Sequence, residues 1–274
     1  MAPVGNEASG IRTATPTRRD RTAAPGSAAG GGANRWALFL DVDGTLLDIA
    51  PRPEAVQVPP GLVQLLRRLR EHFGGALALL SGRPLSLLDD LFAPLRLPGA
   101  GLHGLEIRHA DGTLHPPATV SGLDRIRAQA QALAAALPGV LLEDKRHTLA
   151  LHYRQAPLAG EQVQAQAQAW LEEIGPGWCL QQGKAVVELR PDGMDKGSAL
   201  LALSQRPPFA GRCPLVLGDD LTDEDAFAMA RRLGGEAVLV GDRPATQARW
   251  RLPDPAAARA WLRGLLPPAR EDQA

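Results

Sequence analysis

Cysteine is nearly absent from the chain. Cys179 and Cys213 are the only two in 274 residues, too few for a disulfide framework, and both fall in strand-like stretches. A reducing cytoplasm is therefore the expected setting. Excess charge is lacking as well: Lys plus Arg and Asp plus Glu each number 30, so no global field draws in nucleic acid or an anionic membrane. Any bound anion must be held locally. No uninterrupted apolar run approaches the ~20 residues needed to cross a bilayer, which excludes a membrane partner of that kind. Residues 1–33 lack hydrophobic periodicity and are rich in Gly, Ala, Pro, Thr and Arg. Such a composition cannot offset the entropy of ordering, so a disordered tail is expected. The pair Arg18, Arg19 is followed by small and polar residues from Ala23 to Asn34, not by an apolar segment, which argues against an export signal.

From Trp36 onward, short apolar runs alternate with helical patterns, as in a parallel sheet covered on both faces. Trp36 to Leu40 reads as a strand ending at Asp41. Leu62, Leu65, Leu66, Leu69 and Phe73 recur at helical spacing, and Gly74 and Gly75 stop them. Ala76 to Leu80 makes a second strand that ends in Ser81, Gly82 and Arg83; Pro84 suits a helix start, and a third strand-like piece reaches Gly101 to Gly104. The middle of the chain breaks this rhythm. Ser121 with Asp124 resembles a capping box before a helix through Ile126, Ala130, Leu133 and Leu137. Thr148 to Tyr153 then reads as a strand, Glu161 to Ile174 as a helix, and Lys184 to Arg190 as a strand with Lys184, Val186, Glu188 and Arg190 on one face. The α/β core is thus expected to comprise residues 34–110 and 192–268, with residues 111–191 inserted as a smaller domain and linkers near Gly112 and Gly193.

Two of the predicted strands end in carboxylates: Asp41 and Asp43 after one, Asp219 and Asp220 after the other. Carboxylates gathered at strand ends repel unless a cation joins them, and a hard oxygen-binding ion such as Mg2+ is the usual solution. That chemistry suits phosphoryl transfer. Asp41 can attack phosphorus to form an aspartyl phosphate. Asp43 can protonate the leaving oxygen and later deprotonate water, and Gly44 permits the tight turn between strand and site. A calcium loop is the structural alternative, but it would place Leu46 where the turn wants Gly and Arg52 where a bidentate Glu should stand. Asp219, Asp220 and Asp223 could also cap the helix that starts near Thr222, a role compatible with metal binding. Ser81 with Gly82 can offer a hydroxyl and backbone N–H groups to phosphate, and Lys196 can neutralise charge on the transferring group.

In this order, these residues resemble the motifs of the haloacid dehalogenase superfamily. The resemblance extends to the trehalose-6-phosphate phosphatase family through Gly101 to Glu106, Glu143 to Lys145, His152 to Arg154 and Gly183 to Gly197. It implies a Rossmann-like core with an inserted α/β cap, hydrolysis of trehalose 6-phosphate, and functional coupling to a trehalose-6-phosphate synthase. By the same resemblance, Asp41 is the nucleophile, Asp43 the acid–base, and Mg2+ is held by Asp41, Asp219 and the main-chain carbonyl of Asp43, with Asp220 or Asp223 in support. Substrate contacts are implied for Asp41, Val42, Asp43, Gly82, Arg83, His103, Gly104, Glu143, Lys145, Arg154 and Glu188. Other readings stay open at this level. Glu143 with Lys145, or Glu188 with Arg190, could be solvated salt bridges. The chain could act on a different sugar phosphate, or be a silent sensor or partner subunit, although Asp41, Asp43, Lys196 and Asp219 all count against silence.

Overall fold

The apolar runs become the strands of a parallel sheet because each is buried on both faces. The computed structural model describes residues 17–18, 32–50, 52, 55–115 and 122–267. The first half of the large domain contains β1 (Thr17–Arg18), β2 (Trp36–Leu40), α1 (Leu62–His72), β3 (Leu77–Leu80), α2 (Leu85–Leu91), β4 (Gly99–Gly101), β5 (Glu106–Arg108) and β6 (Leu114–His115). The insertion follows as α3 (Leu123–Ala136), β7 (Leu141–Asp144), β8 (Leu149–His152), α4 (Gly160–Ile174), β9 (Trp178–Gly183) and β10 (Val186–Pro191). The large domain then resumes with α5 (Lys196–Ser204), β11 (Cys213–Gly218), α6 (Glu224–Arg232), β12 (Glu236–Val240), β13 (Trp250–Leu252) and α7 (Pro255–Gly264).

The nine-stranded sheet runs β1-β13-β12-β11-β2-β3-β4-β5-β6. Pairing is parallel from β13 through β4 and antiparallel at both edges. Alternation along β2 assigns its two faces: Leu38 and Leu40 pack with Leu62, Leu66 and Leu69 of α1 and Leu262 of α7. Phe39 packs on the opposite side, with Leu200 and Leu203 of α5 and Phe227 of α6. Fully burying a Leu or Phe side chain contributes roughly 1.5–3 kcal/mol of transfer free energy, so these two layers fix the strand ends firmly. β2 and β11 lie side by side, with chain crossovers leaving in opposite directions. This is the switch point of an open α/β sheet, where a crevice forms beyond the carboxyl ends of the strands.

The smaller sheet, β7-β8-β10-β9, is wholly antiparallel. Ile126 and Ala130 of α3 and Val163 and Trp170 of α4 pack with Leu149, Leu151, Val187 and Leu189 in a separate core. Three local features depart from the sequence expectation. Leu114–His115, assigned to the insertion, is the last strand of the large sheet, because Gly112 with φ +85° turns a hairpin there and is no linker. Lys184 lies in the two-residue turn between β9 and β10, not in the strand, and Ala185 takes φ +60°. Thr17–Arg18, inside the expected structureless tail, pairs with Trp250 and Arg251. Ser121 lies outside the described residues; the N-cap of α3 is Gly122, with no side-chain cap. Among the described residues no helix is long and apolar enough to cross a membrane.

Candidate active site

Asp41 follows β2 directly, and its N–H donates to the Leu217 carbonyl of the adjacent β11 at 3.0 Å, which brings Asp41 beside Asp219. Asp223 folds back beneath them. Its Oδ2 accepts from the N–H groups of Asp219 at 2.9 Å and Asp220 at 3.0 Å, while Gly218 leaves room for it: a Cβ there would stand 2.3 Å from Asp223 Cγ. Gly44 does the same for Asp219. It adopts φ +86°, and a Cβ would lie 2.2 Å from Asp219 Oδ2. Oxygens of Asp41, Asp219 and Asp223 consequently lie within 4.8 Å of one another, all three residues buried. Asp220 does not join them; its carboxylate accepts from the Leu221 N–H as a cap.

Lys196 enters from the N-terminus of α5, where Asp195 and Ser198 form a reciprocal capping box that fixes the first turn. Its Nζ donates to Asp41 Oδ1 at 2.7 Å and Asp223 Oδ1 at 2.6 Å. Burial opposes the ammonium, but the Asp223 and Asp41 charges outweigh it and hold Lys196 protonated above the usual lysine range. Asp41 is pushed the other way: burial first, then Asp223, raise its pKa well above normal despite Lys196. Burial and Asp223 also push Asp219 up to about 6, against the attraction of Lys184. Three buried carboxylates therefore face two ammoniums, Lys196 on Asp41 and Asp223 and Lys184 on Asp219, and Asp41 Oδ2 has no hydrogen-bond partner. An all-oxygen donor set with surplus negative charge and an orphaned oxygen fits a hard divalent cation such as Mg2+.

Around this cluster, Ser81 Oγ accepts from the Arg83 N–H at 3.1 Å, leaving its hydroxyl proton to donate. Arg83 turns its fork to Asp43, with Nε 2.7 Å from Oδ2 and Nη2 2.8 Å from Oδ1. Val42 contributes only backbone, since its side chain is buried in the core. Gly104 lies behind the cleft, φ +105°, where a Cβ would meet the Asp195 carbonyl at 2.6 Å.

The smaller domain roofs the cleft with polar groups. Buried Glu188 accepts from Thr148 Oγ1 at 2.5 Å and Lys145 Nζ at 3.0 Å, and His103 Nε2 is 3.3 Å away. Burial would raise its pKa, but Lys145 and His103 hold it well below the carboxylate range. His103 itself is shifted down by burial, against Glu188, and takes a left-handed φ of +55°. Lys145 also donates to the Gly82 carbonyl at 3.0 Å, tying the roof to the phosphate-loop candidate. Glu143 meets His152 Nε2 at 2.9 Å; burial acts first, yet His152 and Lys145 leave Glu143 below its ordinary pKa. Of the two alternative pairs, Glu143 with Lys145 is present at 3.9 Å but only partly exposed, and Glu188 with Arg190 is not formed. Glu188 faces Lys145 and His103, while the Arg190 guanidinium donates to the Met194 carbonyl. Arg154 bridges the domains through the Ala50 carbonyl at 3.2 Å and the Lys184 carbonyl at 3.1 Å.

Sequence reasoning missed Lys184, whose Nζ reaches across to Asp219 Oδ2 at 3.0 Å, and also His152 and Thr148. The Gly183-Lys184-Ala185 run, a turn between two strand patterns, was the available signal for the first. For His152 the signal was the His152 to Arg154 run that carries the resemblance, and for Thr148 there was none beyond its place at the start of a strand pattern.

A parallel α/β core, carboxylates at the switch point and an inserted roofing domain together define a haloacid dehalogenase-like phosphatase. The trehalose-phosphatase family model matches residues 39–256. A probable trehalose-phosphate phosphatase of Sinorhizobium fredii is 45% identical over 233 residues, covering 85% of this chain and 88% of that protein. The trehalose-6-phosphate phosphatase of Escherichia coli is also 45% identical, over 229 residues, 83% and 85% of the two chains. In three dimensions the chain superposes on the C-terminal domain of the Candida albicans trehalose-6-phosphate phosphatase with a TM-score of 0.76 at 23% identity, covering 85% and 92%. The chain belongs to the trehalose-phosphatase family.

Proposed function

We propose that the protein hydrolyses trehalose 6-phosphate to trehalose and phosphate in trehalose biosynthesis, with the residues of the cleft in defined roles. The observation that carries this is the buried Asp41, Asp219, Asp223 and Lys196 cluster beneath a polar roof, in a chain of this family. Asp41, Asp219 and Asp223 would hold Mg2+, and the bound ion would neutralise charge on the transferring phosphoryl group. An Asp41 oxygen attacks phosphorus, and the bond from phosphorus to the sugar oxygen breaks as that oxygen takes a proton from Asp43. Water then attacks the aspartyl phosphate, passes its proton to Asp43, and the Asp41 oxygen leaves.

Asp43 starts in the grip of Arg83. An arriving phosphate competes for that guanidinium, which frees Asp43 to carry a proton while Arg83 orients the phosphate. Ser81 donates its hydroxyl proton to a phosphate oxygen, and Lys196 holds Asp41 in the attacking orientation. The roof residues Glu143, Lys145, Arg154 and Glu188 accept and donate to sugar hydroxyls, together with His103. A site built to pair hydroxyls rejects analogues because its buried groups are then left unsatisfied. Closure of the smaller domain excludes bulk water while the phosphoryl group passes to Asp41. Because the substrate comes from a trehalose-6-phosphate synthase, functional coupling to that enzyme in the cytoplasm follows. The test is phosphate release from trehalose 6-phosphate, sucrose 6-phosphate, glucose 6-phosphate and a nucleoside monophosphate, each with Mg2+ and with chelator. Strong, Mg2+-dependent preference for the first is expected; equal rates on all four would overturn the specificity, and full activity in chelator would overturn the metal.

A further inference from the structure

Two histidines meet at the far edge of the large sheet, away from the cleft. His109 follows β5 and is buried, whereas His115 ends β6 and is exposed. Their Nε2 atoms stand 3.3 Å apart, with the rings inclined by 70°. The turn between them is held by three hydrogen bonds: His109 N–H to the Thr113 carbonyl, Gly112 N–H to the His109 carbonyl, and Thr113 N–H to Asp111 Oδ1. Both rings therefore project from a constrained backbone.

The separation is informative. In the metal-free protein one ring's Nε2–H can donate to the other's Nε2 at this distance, with the roles set by the tautomers. The same separation suits a shared ion: two nitrogen ligands each about 2.0–2.1 Å from a zinc-like ion, on tetrahedral directions, stand about 3.3–3.4 Å apart. We infer that His109 and His115 form a bidentate imidazole site for a borderline transition-metal cation such as Zn2+, with the remaining positions filled by water on the exposed side of His115. Mg2+ would not compete, since it demands oxygen ligands.

Local charge is consistent with this assignment. Burial first, then Arg206 and His115, hold His109 below its ordinary pKa against Asp111, so its ring is neutral and able to ligate at neutral pH. The same Arg206 charge opposes a bound cation, and Asp111 favours one. Occupation would tie β5 to β6 at an exposed sheet edge just before the chain enters the smaller domain.

The experiment titrates Zn2+ into the full-length protein with Mg2+ saturating, following heat of binding and the ring 15N resonances of the histidines. The expected result is one equivalent of Zn2+ that shifts Nε2 of His109 and His115. His115→Gln, at an exposed position, should weaken that binding at least tenfold and leave Mg2+-dependent phosphate release unchanged, and Asp41→Asn should retain it. Zn2+ binding unaltered by His115→Gln, shifts confined to other histidines, or no binding at ten equivalents would each overturn the assignment.

Discussion

The two domains meeting at the cleft handle charge in opposite ways. In the large domain Asp41, Asp219 and Asp223 have between them the ammoniums of Lys196 and, from across the cleft, Lys184, which leaves one negative charge in surplus and an Asp41 oxygen without a partner. In the smaller domain every acidic group facing the cleft has a basic partner: Glu188 with Lys145 and His103, Glu143 with His152. Under the proposed function the difference matches what each would meet. A divalent cation and a phosphoryl group need uncompensated charge waiting for them, whereas a neutral sugar needs many pre-aligned donors and acceptors whose own desolvation is already covered. Strand ends of a parallel sheet supply the first by convergence, and one face of an antiparallel sheet supplies the second by alternation.

That contrast can be broken from the core side with the largest effect. Asp41→Asn should lower turnover by on the order of 10⁴-fold or more with both trehalose 6-phosphate and p-nitrophenyl phosphate, and no acid-stable phosphoenzyme should form in a quench experiment. Substantial residual hydrolysis would remove Asp41 as nucleophile. Asp43→Asn should cost about 10²–10⁴-fold, slowing both formation and breakdown of the phosphoenzyme; a rapid single turnover in that variant would exclude Asp43 as the acid.

The surplus charge of the core also makes a pH prediction. Asp219 is raised to about 6, chiefly by burial and Asp223. A raised carboxyl pKa contributes stability that is complete below the unfolded value near 4 and is lost as pH rises through 6. Between those limits the metal-free wild type should lose up to about 3 kcal/mol relative to Asp219→Asn, and Mg2+ should reverse the trend above pH 6. Thermal melts of both proteins across pH 4–8, with and without Mg2+, test it; parallel curves for the two would refute the surplus.

The smaller domain gives the mildest and most selective effect. Glu143→Gln keeps the shape and removes the charge, so kcat/KM for trehalose 6-phosphate should fall about 10- to 100-fold, the loss of a charged hydrogen bond. Hydrolysis of p-nitrophenyl phosphate should barely change. Equal losses on both substrates would erase the division of labour between the domains.

The sequence by itself determined the alternation of strands and helices, the ends of the strands at Asp41, Ser81 and Asp219, the existence of an insertion and the family. Those are properties of single elements, written in periodicity and short motifs. Tertiary structure alone decided the partners. Lys196 reaches Asp41 across 155 positions of chain, Asp223 and not Asp220 completes the carboxylate cluster, Arg83 clamps Asp43, and Lys184 crosses between domains to Asp219. Leu114–His115 joined the large sheet for the same kind of reason, a hairpin partner in β5. Periodicity reports which face of an element is buried, but which buried groups touch depends on the register of β2 against β11 and on how the roof seats over the crevice. Neither is encoded in any one stretch of the chain.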